Sequence, residues 1–190
     1  MKTIGSLAII FIAVLLGGCG KDPAPAPMPQ AVQIDVSKQW WFDPLGFMLS
    51  GPGDDQWKPI GFNLQELNLF SSLDTASLAG TTTPASVLMA PSGQNASFPN
   101  PFTTAHSLVF TFPSGYAGSF VLKLVYVDSL MNPVEKKAVR LQCTANPPAT
   151  SSVHIQIMPA VPVARMRLYF SLSSAANPHF HKVWGNVQKL

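Results

Sequence analysis

The chain has 190 residues, of which 47% are hydrophobic and only 11% charged, with a formal net charge of +3. So small a charge, with no Lys/Arg cluster beyond Lys136-Lys137, provides no electrostatic footprint for nucleic acid and excludes that class of partner. Once the first thirty residues are set aside, about 160 remain, enough for one domain that buries roughly two-thirds of its unfolded surface without disulfide support.

Met1-Lys2-Thr3 precedes an apolar core from Leu7 to Leu16 and the small pair Gly17-Gly18, the three regions of an export signal. The apolar run is about ten residues, half of what a membrane-spanning helix needs, so residues 1–18 are expected to be a leader. Leu16-Gly17-Gly18-Cys19 resembles the lipobox of bacterial lipoproteins. That resemblance implies cleavage before Cys19 and acylation of its sulfur and amine; an ordinary secretory signal with an incidental cysteine is the alternative. Two or three acyl chains, at about 0.8 kcal/mol per buried CH₂, anchor a chain stably. Residues 19–30 then read as a tether, in which Pro23, Pro25, Pro27 and Pro29 favour extended polyproline II at about 3 Å per residue. In the lipoprotein family an Asp after the lipidated cysteine marks inner-membrane retention; Gly20 stands there instead, which implies outer-membrane sorting. Lys21-Asp22 resembles a truncated form of the charged surface-export tag of the phylum that uses type IX secretion, and a solvated linker explains the same pair.

Residues 31–190 read as a single domain built from period-two patterns, the mark of half-buried strands. Val32, Ile34 and Val36 alternate with Gln33, Asp35 and Ser37, and Leu108, Phe110 and Phe112 with Ser107, Val109 and Thr111. Phe120 to Val127 is apolar on both faces apart from Lys123, which predicts a central strand. Further strands are expected near Val134 to Leu141, Val153 to Met158, Arg165 to Leu172 and Phe180 to Val187. Turn residues separate them at Pro113-Ser114-Gly115, Asp128 to Pro133, Asn146-Pro147-Pro148, Pro159 to Pro162 and Asn177-Pro178. The pattern predicts a mostly β fold, an antiparallel immunoglobulin-like β-sandwich.

Asp43 to Ser97 is less regular. It holds one expected short helix, because Asn63-Leu64-Gln65-Glu66 has capping-box spacing and Leu64, Leu67, Phe70 and Leu73 follow on one side. The adjacent acids of Gly51-Pro52-Gly53-Asp54-Asp55 lack the further oxygens that calcium requires and are read as a solvated turn.

Ser97-Phe98-Pro99-Asn100-Pro101-Phe102, followed by a strand, a Pro-Ser-Gly turn and the apolar strand, resembles the opening of the type A C-terminal sorting domain of type IX secretion, a small β-sandwich. The likeness spans residues 97–142. It departs from that family in two respects: about fifty residues follow it, and Asp128 to Pro133 stands where the family has a Gly before a basic residue. A purely structural role suffices for the segment, since Pro99 and Pro101 force extended backbone while Phe98 and Phe102 cover a sandwich end. The same phylum attaches O-glycans at Asp-Ser/Thr-apolar triplets, which Asp74-Thr75-Ala76 and Asp128-Ser129-Leu130 resemble. Thr75 and Ser129 are therefore candidate modification sites.

Chemistry-bearing residues are sparse. Cys143 is the only cysteine besides Cys19, so the mature domain has no intramolecular disulfide and Cys143 reads as a structural thiol. In a strand, His179 and His181 would share a face, a geometry that metals use, but their third ligand would have to be His106, His154 or a distant acid; two surface or hydrogen-bonded histidines are the simpler expectation. No nucleophile elbow, zincin helix or phosphate loop occurs, so no catalysis and no cofactor are expected. Trp40-Trp41-Phe42 must face both sides of a strand. Either a ring at Trp40 or Trp41 is exposed as a platform for a sugar or protein, or both lie beneath the Asp43 to Ser97 excursion, joined by Trp57 and Trp184. The sequence therefore predicts a lipid-anchored outer-membrane or surface lipoprotein with a non-catalytic binding or structural domain, its partners the membrane and a glycan or an envelope protein. An accessory subunit of an envelope or secretion assembly is the alternative, and a metal-dependent enzyme using His179 and His181 the weaker one.

Overall fold

The structure, a computed structural model, describes residues 32–73, 83–84, 86–88, 95–111, 118–143, 152–175 and 177–190. The leader, Cys19, the tether and Thr75 lie outside the described residues, as do the turns at Pro113 to Gly115 and Asn146 to Pro148.

The chain opens with a hairpin of β1 (Trp41–Phe42) and β2 (Met48–Ser50), then the helix α1 (Leu64–Asn68). There follow β3 (Thr83–Pro84), β4 (Ser86–Leu88), β5 (Ala96–Phe98), β6 (His106–Thr111), β7 (Gly118–Val127), β8 (Pro133–Cys143), β9 (Ser152–Ile157), β10 (Arg165–Ser173) and β11 (His181–Gln188). They build a five-stranded sheet in the order β11-β10-β7-β8-β3 and a four-stranded sheet in the order β4-β9-β6-β5. Pairing is antiparallel except between β3 and β8. This is the mostly β, antiparallel sandwich with one short helix that the sequence predicts.

β7 occupies the middle of its sheet, between β8 and β10, and its double-faced apolar run has a physical reason. Phe120, Leu122, Leu124 and Tyr126 point into the main core, where they meet Leu108 and Phe110 of β6, Ile155 and Ile157 of β9 and Leu168 and Phe170 of β10. Val125 and Val127 point the other way, into a second cluster with Tyr169, Met131, Leu69 and Phe70. A strand covered on both sides has no face on which polar residues are free of desolvation cost. Each fully buried large apolar side chain contributes roughly 1.5–3 kcal/mol.

Two local expectations are corrected. Ile34 and Val36 are half-buried between exposed neighbours, Val32 is exposed, and the segment forms no strand. Their segment lies on the outer face of the five-stranded sheet, with Ile34 packed on the second cluster. The carbonyls of Asp35 and Lys38 accept from the side chains of Arg167, Asn186 and Gln56 rather than from a neighbouring strand. Period two reports half-burial of an extended chain, not its ladder partners.

α1 has the expected capping box: Asn63 Oδ1 accepts from Glu66 N and Glu66 Oε2 accepts from Asn63 N, at 3.0 and 2.8 Å. The helix stops at Asn68, however, so the spacing of Leu64, Leu67, Phe70 and Leu73 is not sustained as helix. Leu64 is exposed, and the buried anchors are Leu69 and Phe70 in the turn that follows.

Candidate functional site

The consecutive aromatics divide three ways. Phe42 is buried, and its backbone N–H and C=O both pair with Asn100 at 3.1 Å. Trp40 is half-buried, stacked on Phe42 with ring centroids 6.5 Å apart, and occupies the space above Gly51 that a side chain there would need. Its Nε1–H donates to Asp54 Oδ1 at 3.2 Å. Trp41 alone turns outward, 41% exposed. Trp40 therefore supports the fold, and Trp41 is the ring available to a partner.

Gly51 to Asp55 is a turn, as read from the sequence, but Asp54 is not merely solvated. It accepts from Gln56 N and Nε2 as well as from Trp40. Burial acts to raise its pKa, and the hydrogen bonds from Gln56 and Trp40 outweigh that and hold it below the ordinary value. Asp55 pairs with Lys58 at 3.0 Å.

Beneath this turn is a cavity of about 80 Å³ lined by Trp40, Phe42, Gln56, Trp57, Lys58 and Asn95. Pockets that enclose small organic ligands run from about 300 Å³ upward, and a water takes about 30 Å³. The cavity has room for a few waters and none for a sugar ring. Magnitude thus moves the site away from the tryptophan pocket and onto the surface beside it.

That surface is the β1–β2 hairpin. Leu45, Phe47, Met48 and Leu49 are 78%, 62%, 52% and 67% exposed, and with Trp41 they form an apolar ridge whose only charged neighbour from Trp41 to Gly53 is Asp43. The ridge is held, not loose. Asp43 Oδ1 accepts from Leu45 N and Phe47 N at 2.9 and 2.8 Å, and Asp43 and Phe47 pair through the backbone at 3.0 Å. Gly46, at φ 85, adopts a left-handed turn pressed against the Phe98 ring. Exposed clusters of large apolar side chains are a common feature of protein-interaction surfaces. Leu45 to Leu49 went unread in the sequence because the run matches neither the strand nor the helix period; its signal is an apolar stretch bracketed by Pro44 and Gly51-Pro52 without compensating charges.

The expected common face of His179 and His181 does not exist. His179 sits at φ 129, outside β11, and that turn interrupts the alternation. Its Nδ1 lies 2.7 Å from Ser171 Oγ and its ring meets Phe70, on the outer face of the sheet. His181 pairs in register with Leu172, packs near Phe170 on the core side, and its Nε2–H donates to Asn95 Oδ1 at 3.0 Å. His106 is buried between Ser97 Oγ at 2.7 Å and Tyr126 OH at 2.6 Å, while His154 stacks on Phe98. Burial lowers the pKa of all four, to about 4 for His106 and His181. Among the described residues no three His, Cys, Asp or Glu side chains converge as metal ligands would.

Ser97 to Phe102 serves the packing. Phe102 and Asn100 are buried, and Asn100 donates to the carbonyls of Trp40 and Asn186 while accepting from Gln188 N. Ser129 is half-buried in the β7–β8 turn; Asp128 accepts from Leu130 N and Asn132 N, and the Ser129 carbonyl accepts from Ile34 N. The side chain of Cys143 lies outside the described residues.

No family model, curated protein or solved structure matches the chain. The functional reading rests on its own residues.

Proposed function

We propose that this chain is a lipid-anchored cell-envelope lipoprotein whose β-sandwich is a non-catalytic binding module, held by acylated Cys19 at the outer membrane or cell surface. The observation that carries the binding role is the exposed apolar hairpin of Trp41, Leu45, Phe47, Met48 and Leu49. The partner this surface fits is an envelope protein with a complementary apolar groove, which makes the chain an accessory subunit of an envelope assembly. A glycan is the weaker fit, because sugar sites combine a stacking ring with convergent polar donors, and the polar groups near Trp41 are engaged in the turn: Asp43 by Leu45 and Phe47, Asp54 by Trp40 and Gln56. The Leu16 to Cys19 lipobox and the Pro-rich tether support the anchoring, and the likeness of residues 97–142 to a sorting domain supports an origin in the type IX phylum.

Two measurements test this. Cys19→Ala should move the protein from the membrane to the soluble fraction; retention of the variant on the membrane would remove the lipid anchor. In a mild detergent extract, wild type should migrate as part of a larger assembly on a native gel and the Phe47→Ser/Leu49→Ser double variant as a folded monomer. Monomeric migration of both would remove the assembly reading.

A further inference from the structure

Among the described residues, the outer face of the five-stranded sheet is covered along only part of its length. Near one end, Val125, Val127 and Tyr169 lie under Phe62, Leu69, Phe70 and the Ile34 segment. Toward the other end the same face forms a cleft of about 400 Å³ whose lining includes Ser119, Val121, Lys123, Arg140, Ser173 and Ser174. This volume falls within the usual range for small-molecule sites.

Register explains why those side chains meet. Val121 pairs with Arg140 on β8 and with Ser173 on β10, so Arg140, Val121 and Ser173 form one row across three strands. Ser119 and Lys123 flank that row on the same face of β7, because side chains alternate along a strand. Among the described residues no carboxylate lines the cleft, and the ion pair seen among them, Lys58 with Asp55, lies elsewhere. Ser173 is 8% exposed, and its Oγ and the Nε of Arg140 are both buried without a hydrogen-bond partner among the described residues. A buried donor left unpaired is destabilising until an acceptor reaches it. Two unpaired polar groups in the wall of one cleft, beside Lys123, give that wall unused hydrogen-bonding capacity and positive charge.

We propose that this cleft binds the oxyanion group of a small acidic ligand, a carboxylate or a phosphate or sulfate ester. Arg140 supplies a directional N–H and charge, Lys123 a second charge, and Ser173 a neutral donor. An arginine fork matches either kind of oxyanion, and Val121 between the donors offers apolar contact to the rest of the ligand. The site is separate from the hairpin and does not depend on the hairpin having a partner.

The test is calorimetric titration of detergent-solubilised full-length protein with sulfate, inorganic phosphate and acetate, in chloride at constant ionic strength. Saturable binding of at least one anion is expected, with a loss of at least about tenfold in affinity in Arg140→Gln, partial rescue in Arg140→Lys and no change in Val163→Ala, an exposed position outside both the cleft and the hairpin. Preference for sulfate or phosphate assigns a tetrahedral ester, and preference for acetate a carboxylate. No saturable binding by roughly 50 mM, well above a millimolar Kd, overturns the proposal, as does undiminished binding in Arg140→Gln. Should Arg140→Gln not fold, Lys123→Gln and Ser173→Ala take its place, and undiminished binding in both overturns the proposal equally.

Discussion

The indole of Trp57 occupies the space that a side chain on Gly185 would fill. Trp57 comes from the irregular excursion, with φ 64 and its N–H donating to Trp184 O at 2.7 Å, and Gly185 is a mid-strand residue of β11. The glycine lets a loop tryptophan seal the edge of the core. Gly185→Ala should therefore destabilise the domain by about 1–3 kcal/mol through overpacking, read as a lower denaturation midpoint with an unchanged denaturant slope. A wild-type midpoint in that variant would mean the indole moves aside without cost.

The hairpin ridge should behave in the opposite way. Phe47 and Leu49 are more than half exposed, so Phe47→Ser and Leu49→Ser should each change stability by no more than about 0.5 kcal/mol. Gly46→Ala should do more harm than either, because it places a Cβ against the Phe98 ring at a positive φ. Thermal melts of the three variants separate a presented surface from a packed one; a large loss in Phe47→Ser would show the ridge to be part of the core.

Asn100 makes three side-chain hydrogen bonds that join the residue before β1 to β11, to Trp40 O, Asn186 O and Gln188 N at 2.7, 3.0 and 3.0 Å. Asn100→Ala leaves two carbonyls and one N–H unpaired, each costing about 1–3 kcal/mol. Asn100→Asp keeps the shape yet turns a carboxylate oxygen toward two carbonyls, so it should be at least as damaging at neutral pH. Chemical denaturation of both variants provides the comparison, and a mild effect of Asn100→Asp would contradict the donor assignment.

Acid should weaken the fold through buried histidines. His106 and His181 have folded-state pKa values lowered to about 4 by burial, against 6.5 for the free group. Between those limits the unfolded chain binds more protons, so stability is complete above about pH 6.5 and falls as pH drops toward 4. Each group accounts for at most about 3–4 kcal/mol of that loss. His106 is held by the Ser97 and Tyr126 hydroxyls as a neutral ring that donates on one side and accepts on the other. His106→Gln should reduce the slope of stability against pH in this window by roughly one proton, and an unchanged slope would assign the acid sensitivity elsewhere.

How far the sequence could be read follows from the range of each signal. The double-faced run of β7, the alternation of Leu108 and Phe110, and the Asn63–Glu66 box depend on neighbours within a few residues, and each appears where the local pattern puts it. The shared face of His179 and His181 failed because a single backbone turn at φ 129 lies between them, and no side-chain pattern encodes that angle.

By itself the sequence determined a mostly β sandwich with a central apolar strand and one capped helical turn, because strand periodicity and capping are set by local sterics and solvation. It likewise identified Trp40 to Phe42 as a place where three rings cannot share one face. Only the tertiary structure decided that Trp41 is the exposed ring, that Leu45 to Leu49 continue it into a ridge, and that Arg140, Lys123 and Ser173 stand around one cleft. Those outcomes depend on strand register and on which distant segment covers which face, and both are fixed by contacts between residues far apart in the chain.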